Sequence, residues 1–87
     1  MNNKELVKIL KAIGNERRLD ILRRIAKKRQ MSVGNLSEII ELSFRSVSKH
    51  LSVLSSAGLV EAKQSGLSRY YSISKDFPKQ FSEFLKG

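Results

Sequence analysis

The sequence predicts a mostly helical fold that carries one small β-hairpin, and three observations lead there. Apolar residues recur at spacings of three and four in four successive segments between Asn3 and Ser56, the one-sided stripe of an amphipathic helix. After Gly58 the period drops to two, with Val60 and Ala62 alternating with Glu61 and Lys63, as on a half-buried strand. The stretch Ser43 to Val60 contains no acid, so its helix has one apolar side and one short, positive side. About five helices and a two-stranded hairpin fit within 87 residues, a length that suits a single domain over 1–87.

The first helix covers 3–13, with Leu6, Ile9, Leu10 and Ile13 on its apolar stripe and Gly14 at its end. Asn15 suits the start of the second helix, because its side-chain oxygen can accept from an amide that the helix leaves free. Glu16 stands in the first turn and Lys27, Lys28 and Arg29 at the far end, each favourable with the helix dipole. Leu19, Leu22, Ile25 and Ala26 form the buried face, with Ile21 at its margin. Ser32 caps a short third helix carrying Val33, Leu36, Ile39 and Ile40. Glu41-Leu42-Ser43 is a tight connection into the fourth helix, with Ser43 as its N-cap and Phe44, Val47, Leu51 and Leu54 as its stripe. Gly58 can take the left-handed conformation that ends it.

A short helix, a three-residue turn and a longer basic-faced helix make a helix-turn-helix. Ser65-Gly66-Leu67-Ser68 then reads as a turn, and Arg69 to Ile73 as a strand rich in aromatic and β-branched residues. A hairpin directly after a helix-turn-helix is a wing, so the fold class is a winged helix-turn-helix. Asp76 caps a final helix that tolerates Pro78 in its first turn. Phe77, Phe81, Phe84 and Leu85 form its stripe.

Lysine and arginine number 17 against 8 acids, a net charge of +9, which favours polyanions through counterion release. The plainer reading of such a composition is solubility. The chain has no cysteine, which excludes disulfides, thiolate metal sites and thiol redox switches. No apolar run approaches the roughly 20 residues that cross a bilayer. No charged start followed by an apolar run marks a signal peptide, so the expected location is the cytoplasm. A glycine-rich phosphate loop, a paired-carboxylate motif and a metal cluster are all lacking, and the expectation is that the protein is not an enzyme.

The candidate binding residues follow from the helical wheel. At about 100° per residue, Arg45, Ser48, Lys49, Ser52 and Ser56 lie opposite the apolar stripe of the fourth helix. That low, positive face suits the major groove of double-stranded DNA, with phosphates at its rim. Ser46 adds a small polar group, and His50 stands at the edge of the stripe. Lys63, Gln64 and Arg69 lie near the tip of the wing. Each has a bland counterpart. Arg45 and Lys49 can be solvated charges, and the wing cations can simply protect a sheet edge. His50 can be a half-buried imidazole bonded to a neighbouring backbone group, against a phosphate contact. Arg18 reads as an internal cap or a salt-bridge partner, to Asp20 or to a neighbouring element. A winged-helix module that binds protein without sequence-specific DNA binding is the alternative function. Such a module needs exposed apolar anchors on its docking face, and here these fall on the first and last helices, where they suit self-association.

These residues resemble the ArsR family of winged-helix repressors over about Leu6 to Ser74. The specific parts are Ile13-Gly14-Asn15-Glu16-Arg17-Arg18-Leu19-Asp20-Ile21-Leu22 and the block from Val47 to Val60. Tyr70-Tyr71-Ser72-Ile73 is similar to the family's second wing strand. The resemblance implies a homodimer built on the helices at 3–13 and 76–86, binding an operator as a transcriptional repressor. It does not extend to sensing. Where metal-sensing members carry a cysteine pair, residues 32–36 here are Ser, Val, Gly, Asn and Leu. The last helix offers only Asp76 and Glu83, with no histidine. The single imidazole of His50 cannot make a zinc site, which takes about four ligands. No metal and no cofactor is therefore expected, and the sequence does not name a small-molecule effector.

Overall fold

The structure, a computed structural model, describes residues Met1–Gly87. Four α-helices come first: α1 (Asn3–Ile13), α2 (Glu16–Lys28), α3 (Val33–Ile40) and α4 (Phe44–Ser56). Each starts on a side chain that takes up a free amide. Asn2 accepts from Glu5 N–H at 2.8 Å, Asn15 from Arg18 at 3.1 Å, Ser32 from Asn35 at 3.1 Å and Ser43 from Ser46 at 3.1 Å. Such a cap stabilises a helix by about 1 kcal/mol. The end of α4 is equally defined. Gly58 has φ 74°, and the amides of Gly58 and Leu59 turn back to the carbonyls of Ser55 and Leu54 at 2.9 and 3.0 Å. The second of these bonds is the six-to-one link of a Schellman motif.

The expected hairpin is present and gains a third strand. β2 (Val60–Ser65) and β3 (Ser68–Ile73) pair antiparallel through the turn at Gly66, and β1 (Met31–Ser32) pairs with the other edge of β3, in the order β1-β3-β2. Met31 lies opposite Tyr71 and is buried. Two residues are too few to show a period of two, so sequence patterning gives no strand there.

Fifteen apolar residues form one core that contains no buried polar side chain. Ile21, Leu22 and Ile25 of α2 are wholly buried with Leu36, Val47, Leu51, Leu54 and Leu59. The margin position expected for Ile21 is thus corrected. Helix α2 packs against α1, α4, β3 and the last helix, so more than one of its faces is inside. Phe44 is a correction in the other direction: it lies on the predicted stripe yet is 62% exposed. As the first residue of α4, it stands a turn ahead of Val47, beyond the core's edge. Leu10 and Ile39 are also exposed.

The last element is a 3-10 helix, Lys79–Leu85, rather than the expected α-helix. Pro78 occupies the N-cap position and no side chain caps it. Asp76 therefore does not serve as the cap; its own amide donates to Ser74 Oγ at 3.1 Å. A 3-10 helix aligns residues three apart, and Phe81 and Phe84 accordingly stack with ring centroids 6.0 Å apart. Phe77, Phe81 and Leu85 pack against the core, which leaves Phe84 44% exposed.

Candidate nucleic-acid interface

The candidate interface is built on α4 and the wing. Burying Val47, Leu51 and Leu54 turns the opposite side of α4 outward, and Arg45, Lys49 and Ser52 are exposed along it. Ser46 and Ser48 are half-buried on the flanks. The Ser46 hydroxyl accepts from Ser43 Oγ at 3.0 Å, so it is part of the N-terminal cap. No acid occurs on α4.

Three residues outside α4 hold it in place. Arg18 Nε donates to the Ala12 carbonyl at 2.7 Å and another guanidinium nitrogen to that of Lys11 at 3.0 Å. Its third nitrogen lies 3.5 Å from His50 Nδ1 on α4. Arg18 thus caps the end of α1 and links α1, α2 and α4. The role as an internal cap holds, whereas the suggested partner Asp20 pairs with Arg24 at 3.0 Å instead. Arg17 reaches the carbonyl of Ile40 at the end of α3, at 3.5 Å. Ser37 Oγ donates to the Leu42 carbonyl at 2.5 Å, and the Leu42 amide returns to the Ser37 carbonyl at 3.3 Å. These two bonds pin the turn between α3 and α4. Periodicity gives no sign of this role for Ser37; its one signal is a polar residue within a short apolar helix.

His50 is half-buried and partnered by a guanidinium rather than by the backbone. Arginine only donates, so a hydrogen bond at this contact requires Nδ1 to accept, with the ring proton on Nε2. Burial first, then the charges of Arg18 and Arg17, lower its pKa from the ordinary 6.5.

In the wing, strand alternation separates the expected residues. Gln64 and Arg69 face each other on one side, and Lys63 pairs with Tyr70 on the other. The three do not form one cluster. Gln64 Nε2 donates to the Gly66 carbonyl at 3.2 Å and braces the turn. The Arg69 guanidinium sits 5.8 Å from the centre of the Tyr71 ring, close enough for a cation–π attraction. Gln64 and Arg69 line a groove shared with Leu67 of the turn, Gly34 of α3 and Phe44 of α4. Lys63 borders a separate hollow with Gln30, Ser65 and Tyr70.

Cations lie on the outward face of α4, on the wing and, in greater number, along α2, which carries Arg17, Arg18, Arg23, Arg24, Lys27 and Lys28. No three His, Cys, Asp or Glu side chains come together as metal ligands. The largest hollow, between α2 and the last helix, is walled by Arg23, Arg24, Lys27 and Lys86 with few apolar groups. No helix is long and apolar enough to cross a membrane.

Known proteins share this architecture. The family described as a helix-turn-helix domain matches residues 13–62. The transcriptional activator HlyU of Vibrio cholerae is 38% identical over 84 residues, which span 97% of this chain and 77% of that protein. The solved structure of reduced HlyU from the same species superposes with a TM-score of 0.81 at 34% identity, covering 97% of this chain and 84% of that one. The homodimeric winged helix-turn-helix DNA-binding domain of a possible ArsR-family regulator of Mycobacterium bovis gives 0.82 at 28% identity, over 94% and 72%. The transcriptional repressor PagR of Bacillus anthracis gives 0.79 at 26%, over 93% and 90%.

Proposed function

Because the chain belongs to the ArsR family of helix-turn-helix transcriptional regulators, which bind DNA and are not enzymes, we propose that it acts in the cytoplasm as a homodimer on an inverted-repeat operator. The observation that carries this reading is the outward face of α4, with Arg45, Lys49 and Ser52 exposed and no acid among them. A helix of this kind enters the major groove, and a two-fold dimer places two such helices in successive grooves. Arg45, Ser46, Ser48, Lys49 and Ser52 then face base edges and the adjoining backbone. The Nε2–H of His50 faces a phosphate, and Lys63, Gln64 and Arg69 meet the backbone beside the groove. Val7 and Leu10 of α1 and Phe84 of the last helix remain exposed, and they are the apolar surface that a second copy covers. The homodimeric neighbour from Mycobacterium bovis supports that assembly.

Occupancy of an operator that overlaps a promoter represses, and repression is the sign proposed here. HlyU is an activator, so a reporter gene behind the operator is part of the test. Selection of bound duplexes from a random pool is expected to recover an inverted repeat with half-site centres about 10 bp apart. Expression of the protein should then lower the reporter. Recovery of no motif would favour a protein-binding module instead, and a raised reporter would make the chain an activator.

A further inference from the structure

We infer that Phe44 reads sequence by packing its ring on the 5-methyl group of a thymine; this rests on the DNA-binding reading above. Phe44 is the first residue of α4, and the N-terminal residues of such a helix are those that meet base edges. It is 62% exposed and lies outside the set of residues packed on the core. Folding alone therefore does not account for a phenylalanine at this position. Its neighbour Arg45 is exposed, and across the groove stand Gln64, Leu67 and Arg69. A cationic surround without an acid on α4 suits a polyanion better than an apolar protein partner.

On the major-groove edges of B-DNA the thymine methyl is the apolar group, and phenylalanine is among the side chains that contact it. The deoxyribose ring is the other apolar surface within reach, but every nucleotide carries it, so packing there cannot discriminate. A single methyl thus separates the two outcomes. Adjacent residues take complementary roles: Arg45 hydrogen-bonds a guanine while Phe44 senses the methyl of a neighbouring thymine.

Replacing thymine by uracil deletes that methyl and leaves the pairing edge intact. Affinity of the full chain is to be measured for its selected operator and for duplexes with each half-site thymine changed to uracil, using wild type, Phe44→Ala and Phe44→Leu. One position is expected at which uracil weakens wild-type binding about fourfold per half-site, the value of one buried methyl-sized group. Phe44→Ala should be indifferent to uracil there, and Phe44→Leu should keep part of the effect. Uracil sensitivity that is absent from wild type, or equal in wild type and Phe44→Ala, overturns the inference while leaving the DNA-binding reading intact. Failure of the selection to return any preferred sequence overturns that reading, and this inference falls with it.

Discussion

At the scale of the residue, Arg18 shows how a cation in a basic chain is spent on architecture. Two of its nitrogens end α1 and the third meets His50 (at 2.7, 3.0 and 3.5 Å). The sequence marks Arg18 as an internal residue but cannot identify its acceptors, because three helices must be placed before those carbonyls converge. The same interaction explains His50. An imidazole whose pKa is lowered by burial and by two guanidinium charges resists protonation in the folded state. Below the unfolded value of 6.5 the unfolded chain binds the proton more readily, so this contribution is full above 6.5 and is lost as pH falls through the folded pKa. Urea denaturation at pH 7.5 and 5.5 should therefore show a larger fall in midpoint for wild type than for His50→Gln. Equal falls would mean that the ring titrates alike in both states. Phe44 marks the limit of periodicity at this scale: its spacing from Val47 matches a buried stripe, but the core ends before the helix does.

At the scale of the element, the caps are legible in the sequence and the last helix is not. Asn15, Ser32, Ser43 and Gly58 act within three residues of their own position, so short-range chemistry decides them. Gly58 gives a direct check. Its φ of 74° disfavours any side chain, although a Cβ there would touch nothing within 4 Å. Gly58→Ala should cost about 1–2 kcal/mol of stability through backbone conformation alone; thermal or urea unfolding measures it, and an unchanged midpoint would mean that α4 ends by another route. The C-terminal segment differs because the spacing of Phe77, Phe81 and Phe84 suits an α-helix, whereas Phe77 falls before the helix and only Phe81 and Phe84, three apart, align in the 3-10 turn. Tertiary anchoring, with Arg23 Nε donating to the Phe84 carbonyl at 2.9 Å, accompanies the tighter winding. The wing is an intermediate case. Its strands are legible, but the register that sets Lys63 apart from Gln64 and Arg69 is a matter of counting, which the turn at Gly66 decides.

At the scale of the whole molecule, partial burial of Phe77, Phe81 and Leu85 against the chain's own core narrows the surface proposed for dimerisation to Val7, Leu10 and Phe84. Leu10→Glu should leave the fold intact and give a monomer by sedimentation at tens of micromolar, where wild type is a dimer; a monomeric wild type would remove the proposed assembly. Without cysteine and without a cluster of metal ligands, binding to the operator should be unchanged by micromolar zinc, cadmium or arsenite. A metal effect abolished by a chelator would reveal a site formed between subunits. The central claim is that α4 reads sequence while the wing supplies affinity. Its most direct test is the operator-to-scrambled affinity ratio at several salt concentrations for Arg45→Ala and Arg69→Ala. Arg45→Ala should cost roughly 1–3 kcal/mol per half-site on the operator and lower the ratio. Arg69→Ala should weaken both duplexes alike, with a salt slope reduced by about one for each phosphate that the variant no longer neutralises. A ratio that survives Arg45→Ala and collapses with Arg69→Ala would contradict this division of roles and make the wing the reader.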